Sequence, residues 1–272
     1  MSDRQMYPIK KRLAAGEVVA GPWCVLPSPE VIHVLARAGA DFVIIDMEHG
    51  PMSFETAAGM IRAAEAGGAA PLVRVAGNSE EAILHALDTG AHGVIIPHVG
   101  SREEAEAAVA RAKYHPLGSR GFSPFTPAGG YSLAGVADHA AVENALTLVG
   151  LILEGQEGID ALDEILAIPG LREKVDLIYI GAYDLSQALG HPGQVDHPDV
   201  RRRMQECMKR IRKAGIAGGG YVARDGKDVA WMVGSGMQFV TLLPDCTLLF
   251  HTLEDRYGDL HRATGRRRRA KR

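Results

Sequence analysis

Cysteine is scarce in this sequence. Cys24, Cys207 and Cys246 are odd in number, far apart and in no metal-type spacing. That excludes a disulfide framework and a cysteine zinc site, and points to a reducing compartment. Long apolar runs are also missing: nowhere do 18 apolar residues follow one another, and the start, "MSDRQMYPIKKRL", has charges with no long apolar segment after them. A soluble, cytoplasmic protein without a membrane partner is expected. Nucleotide fingerprints are absent too, since no apolar run is followed by G-x-G-x-x-G with an acidic residue about twenty positions on; "GSGMQ" and "GIAGGG" come nearest and neither qualifies. There is no P-loop. Nor does a lysine follow a predicted strand, as a Schiff-base enzyme requires. Lys113, Lys209, Lys213 and Lys227 read as helical, Lys174 precedes its strand, and Lys10, Lys11 and Lys271 lie near the termini.

What is present is a chain of 272 residues, 46% of them hydrophobic, with a mean hydropathy of −0.03. Such a chain can bury a full core, which excludes disorder as its main state. The net charge is −3, yet the final "GRRRRAKR" carries six of the thirty basic groups, and removing those six leaves the body at −9. A like-charge run of this kind stays solvated. With no basic face or aromatic interleaving in the body, no nucleic-acid partner is expected. The predicted division is a domain over 1–262 and a basic, disordered tail over 263–272.

Eight apolar, β-rich runs recur at Val18–Leu26, Phe42–Asp46, Leu72–Val75, Gly93–Pro97, Thr147–Leu153, Val175–Ile180, Ala217–Val222 and Phe239–Leu243. Between them lie segments such as "SREEAEAAVARAKYH", with apolar residues three and four apart, acids at the start and bases at the end. Gly39, Gly90 and Gly215 stand where helix C-terminal caps belong. Strict alternation of strand and helix implies a parallel sheet, and eight repeats in this length predict a single-domain (β/α)8 TIM barrel. One long irregular stretch, "HPLGSRGFSPFTPAGGYSLAG", is of the kind that lines a site or an interface.

In such a barrel chemistry sits where strands end. The stretch "DFVIIDMEHGPMS" runs a buried-strand pattern straight into Asp46, Glu48 and His49 before a Gly-Pro turn. Alone, this cluster admits a plain reading as helix-capping acids and a surface histidine. The other strand ends add Arg74, Pro97 with His98, Glu154, Asp184 and Tyr221. A base, a cation and several carboxylates thus gather around one mouth.

In order along the chain, "DFVIIDMEHGP", "PLVRV", "LDTGAHGVIIPHV", "YHPLGSRGF", "ILEGQEGIDALDEILAIPG" and "IGAYDLSQALGHPGQVDHP" resemble the successive motifs of the HpcH/HpaI aldolases, over about residues 10 to 250. The resemblance implies a (β/α)8 barrel in homo-hexamers, trimers of dimers, with the last helix packed on a neighbouring subunit. It implies a metal-dependent lyase acting on 2-oxo acids. Glu154 and Asp184 would hold a divalent ion (Mg2+, Mn2+ or Co2+), His49 with Asp46 would form the acid–base pair, and Arg74 would stand beside the keto oxygen. Asp88 would approach a neighbour's site. Gly181, Ala182, Tyr183 and Asp184, with the Gly121–Pro124 region around Ser123, would offer backbone N–H groups to a carboxylate.

The chemistry is coherent. Two carboxylates leave a hard cation with open positions that a 2-oxo acid can fill through its carboxylate and keto oxygens. Carbon 3 then becomes acidic, and a base such as His49 can move its proton. The chain departs from the family pattern at Ile152, Gly155 and Gln156, where Gln, Thr and Arg are usual, and at Tyr183, where Ala is common. The expected activity is aldol cleavage or formation of a 4-hydroxy-2-oxo acid. A citrate-synthase-like condensation or a decarboxylation through the same enolate stays open, as does a non-catalytic barrel.

Overall fold

The structure, a computed structural model, describes residues 9–265. Its strands are β1 (Val19–Cys24), β2 (Phe42–Asp46), β3 (Ala70–Arg74), β4 (Gly93–Ile96), β5 (Leu148–Leu153), β6 (Leu177–Ile180), β7 (Ala217–Gly219), β8 (Val222–Ala223) and β9 (Phe239–Leu242). The helices are α1 (Ile9–Ala14), α2 (Pro29–Arg37), α3 (Phe54–Gly67), α4 (Glu80–Asp88), α5 (Arg102–Ala112), α6 (Val136–Leu146), α7 (Gly155–Asp160), α8 (Leu162–Leu166), α9 (Leu171–Lys174), α10 (Ala182–Ala188), α11 (Pro198–Lys213), α12 (Gly226–Gly234) and α13 (Asp245–Thr264).

All strand pairings are parallel, in the order β7-β6-β5-β4-β3-β2-β1-β9-β8. The two edges, β7 and β8, are consecutive pieces of one segment, and Gln238 N donates to Gly218 O at 2.9 Å. The sheet therefore curls round on itself, consistent with a TIM-like barrel. Among the described residues nine strands appear where eight runs were predicted, because the seventh is divided at Gly220 and Tyr221. Gly220 has φ +148°, and a Cβ there would sit 2.5 Å from Ile180 O, so only glycine lets the two backbones approach this closely.

Alternate strand residues build two layers. Val19, Trp23, Phe42, Ile44, Leu72, Ile95 and Phe239 fill the inside of the curl, and Ile9 and Leu13 of α1 join them. Phe42 and Phe239 stack at 4.0 Å. Val43, Ile45, Val73, Val94 and Leu151 point outward against helix residues such as Met60, Ile83 and Met204. Each fully buried aliphatic side chain contributes about 1.5–3 kcal/mol. Ser28, Ser53, Ser79 and Ser101 cap α2 to α5, each accepting a backbone N–H through its hydroxyl. These caps and the left-handed glycines Gly39, Gly68, Gly90 and Gly215 set where helix gives way to strand. The C-terminal ends of the strands consequently face one side.

Helix α13 runs on through Thr264, past the boundary at 262; the basic stretch 266–272 lies outside the described residues. Among the described residues no helix is long and apolar enough to cross a membrane.

Candidate active site

At the C-terminal ends of the strands lies a cavity of about 400 Å³. Its walls include Asp46, His49, Arg74, Glu154, Gly181, Ala182, Tyr183 and Asp184. Eight of the ten candidate residues are thus brought together, from β2, β3, β5 and β6 and the turns after them.

Asp46 ends β2 and is buried. Its carboxylate accepts the backbone N–H groups of Glu48 (3.1 Å) and His49 (3.2 Å), which folds the turn back over the strand end. Arg74, its register partner on β3, donates Nε to Asp46 Oδ1 at 2.8 Å and Nη2 to Oδ2. Arg74 Nη1 also pairs with Glu48 Oε2 at 2.9 Å, and the guanidinium lies 4.6 Å over the Trp23 ring. Three groups, Asp46, Glu48 and Trp23, thus hold Arg74 rigid, which suits it to stabilise a charge rather than to bind one loosely. His49 is exposed and lines the cavity; among the described residues its imidazole has no protein hydrogen-bond partner. Asp46 and His49 therefore meet through the backbone rather than carboxylate to imidazole.

Glu154 follows β5 and Asp184 sits in the first turn of α10. A Cβ on Gly181 would lie 2.9 Å from Glu154 Cβ, 3.4 Å from Glu154 Oε2 and 3.6 Å from Asp184 Oδ2. Glycine at this place is what lets the two carboxylates face one point. Burial pushes the Glu154 carboxyl above its ordinary value, against the lowering influence of the His98 N–H, and the charges of Asp184 and Glu48 push it further up. Crowded acids of this kind suit a divalent cation, and Glu154 with Asp184 could hold one. His98 stands directly beside them. Its backbone N donates to Glu154 Oε1 at 2.9 Å, and its ring nitrogens sit 2.9 Å from Glu154 Oε1 (Nδ1) and 2.7 Å from Glu48 Oε1 (Nε2).

Two candidates lie elsewhere in this chain. Asp88 ends α4, is not among the residues lining the cavity, and accepts from Arg120 Nη2 at 2.6 Å. Ser123 lies in the stretch 113–135, outside the cavity, where its hydroxyl accepts from Phe125 N at 3.4 Å.

Trp23, Tyr179, Val195 and Arg224 also line the cavity and were not anticipated. Trp23 looked like an ordinary strand residue, whereas Arg224, a charge just past the seventh run, carried a legible signal. Burial pushes the Tyr179 phenol up to about 12, so it remains a donor at neutral pH. Its hydroxyl and that of Thr241 meet at 2.9 Å. Tyr221 donates to Asp196 Oδ1 at 2.6 Å, and Arg224 joins the same acid at 2.7 Å. Ile152, buried in the wall, makes apolar the place where the family pattern has a polar group. Gly155 takes φ +72° and Gln156 Nε2 donates to Asp160 Oδ1 at 2.7 Å, within the helix.

Parallel strands curled into one sheet, with carboxylates, an arginine and a histidine at their C-terminal ends, define a barrel-like scaffold of the kind on which enzymes place their sites. The chain belongs to the HpcH/HpaI aldolase/citrate lyase family, whose model matches residues 20–252. A 5-keto-4-deoxy-D-glucarate aldolase of Shigella boydii serotype 18 is 38% identical over 221 residues, 80% of this chain and 84% of the relative. A family protein from Burkholderia cenocepacia J2315 superposes with a TM-score of 0.85 at 29% identity, covering 93% of this chain and 98% of that one. The structure of citrate synthase SbnG does so with a TM-score of 0.83 at 32% identity, covering 95% and 99%.

Proposed function

We propose that the protein is a divalent-metal-dependent carbon–carbon lyase that cleaves or forms a 4-hydroxy-2-oxo acid through a pyruvate-type enolate. The observation that carries this reading is the convergence of Glu154 and Asp184 over Gly181, in the cavity that Arg74 and His49 also line. Glu154 and Asp184 would hold Mg2+, Mn2+ or Co2+, and the bound ion supplies Lewis-acid polarisation of the keto oxygen. Arg74, clamped by Asp46, Glu48 and Trp23, stands ready for the negative charge that grows on that oxygen. His49, whose imidazole has no side-chain partner among the described residues, moves the proton of the carbon chemistry. The first-turn N–H groups of Ala182, Tyr183 and Asp184 receive the substrate carboxylate. Trp23, Ile152 and Val195 keep that part of the cavity dry.

The aldolase relatives direct the substrate reading toward sugar-derived 2-oxo acids of the kind in their name. Condensation through the same enolate is the second reading, supported by the likeness to citrate synthase SbnG and by Arg224, a second cation on the wall able to meet another anionic reactant. The test is exchange of pyruvate methyl protons with deuterated solvent, followed by NMR, which isolates enolisation from any second substrate. Exchange should stop on exhaustive chelation and return with Mg2+, Mn2+ or Co2+; exchange that survives chelation overturns the reading.

The assembly belongs to the same proposal: a cytoplasmic homo-oligomer, a hexamer, with α13 lent to a neighbour. Leu249, Phe250, Leu253 and Tyr257 of α13 are each at least half exposed, a face that a second copy would cover.

A further inference from the structure

We infer that Arg224 is a specificity-determining residue that receives a second carboxylate, so that the compound cleaved or formed is a 4-hydroxy-2-oxo diacid and its aldehyde half is an anion. The inference rests on the lyase reading above and adds the chemical class of the aldehyde. Arg224 follows β8 and lines the cavity. One edge of its guanidinium is occupied: Nε donates to Asp228 Oδ2 at 2.7 Å, and Nη2 meets Asp196 Oδ2 at 2.7 Å and the Tyr221 hydroxyl at 2.8 Å. Nη1, which carries two N–H groups, has no partner among the described residues. Asp228 belongs to the first turn of α12 and Asp196 to the loop before α11, so two separate segments hold the side chain. A donor fixed in this way loses little side-chain freedom when it binds.

The two acids do not turn this wall anionic. Arg201 Nη2 pairs with the same Asp196 at 2.6 Å and the same Asp228 at 3.5 Å, so two guanidiniums share two carboxylates and the cluster is formally neutral. A carboxylate that approaches Nη1 therefore meets charge-assisted donors with no net opposing charge. The other arginine of the cavity, Arg74, is committed to Asp46 and Glu48, while Val195, Tyr221 and Val222 of the same lining carry no charge. In the cleavage direction the bond between carbons 3 and 4 breaks. Its electron pair passes into the pyruvate enolate, which takes one proton at carbon 3, and the 4-hydroxyl gives up its proton as the aldehyde forms. A diacid thus yields pyruvate and an aldehyde that keeps the second carboxylate, the group assigned to Arg224.

The test is cleavage of matched substrates by the purified, metal-loaded full chain, with pyruvate release followed through lactate dehydrogenase. The probes differ only at carbon 6: 4-hydroxy-2-oxohexanedioate has a carboxylate there, 4,6-dihydroxy-2-oxohexanoate an alcohol and 4-hydroxy-2-oxohexanoate a methyl group. The wild type should favour the diacid over both others by about ten- to a hundredfold in kcat/KM, the worth of one hydrogen bond to a charged group, and mostly through KM. In Arg224→Gln that ratio should fall to within about twofold of unity; in Arg224→Lys, which keeps a cation for Asp196 and Asp228, it should be intermediate. A ratio cancels any loss of fold or metal common to the three substrates, and the wild-type ratio needs no variant. A wild-type ratio near one, a preference for the alcohol, or a diacid preference undiminished in Arg224→Gln overturns the role of Arg224 and leaves the lyase reading standing. Cleavage of none of the three by the wild type overturns that reading and this inference with it.

Discussion

His49 carries the sharpest residue-scale consequence, because it lines the cavity and, among the described residues, its imidazole has no hydrogen-bond partner, while its backbone is pinned by Asp46. His49→Ala should therefore lower pyruvate proton exchange by roughly two to four powers of ten while leaving metal affinity and the unfolding midpoint unchanged. An unchanged exchange rate would return the Asp46–His49 turn to its plain reading as a solvated loop. Glu154→Ala should differ, losing metal binding along with exchange, which dialysis separates from the His49 result. Gly181→Ala is a steric probe of the same place. A Cβ 2.9 Å from Glu154 Cβ must push that acid aside, so metal affinity should drop while the circular dichroism spectrum stays that of the wild type. Native affinity in Gly181→Ala would mean that Glu154 is not held where the geometry requires it.

Elements, rather than single residues, explain why Lys113 does not compete for the chemistry. Burial pushes the Lys113 ammonium down to about 7, a value associated with Schiff-base lysines. Yet Lys113 stands just past the end of α5, and its Nζ donates to Asn144 O at 3.0 Å and Thr147 O at 2.7 Å, before the start of β5. Glu154 lies beyond the other end of that six-residue strand, roughly 20 Å away at about 3.3 Å per residue. Borohydride added with pyruvate should leave the protein's mass unchanged. The same burial has a thermodynamic consequence: an unfolded lysine titrates near about 10.4, so between about 7 and 10 the unfolded chain holds a proton that the folded chain has released. Stability should therefore rise with pH across that window, and Lys113→Met should flatten the rise in urea-unfolding measurements made from pH 7 to pH 9. Helix and strand periodicity made these elements readable, because alternation of apolar and polar positions follows backbone geometry. The division of the seventh strand was not readable, since it depends on Ile180 approaching Gly220 from a different part of the chain.

For the whole molecule the apolar face of α13 is the decisive surface. Light scattering after size exclusion should give about 175 kDa, six chains of 29.1 kDa, and Phe250→Glu with Leu253→Glu should shift the protein to smaller species; a monomer in the wild type would overturn the proposed assembly. Local sequence alone determined the alternation of strands and helices, the capping serines and the placing of Asp46, Glu48, His49, Arg74, Glu154 and Asp184 at strand ends, because these follow from periodicity and turn chemistry within a few residues. Only the tertiary structure decided which of those groups meet. Curling the sheet brought Arg74 onto Asp46 and Glu48, set Glu154 and Asp184 over Gly181, and left Asp88 out of the cavity lining. It also turned His98 between Glu48 and Glu154, three residues from separate loops whose distances depend on how neighbouring strands pair and how far the sheet bends.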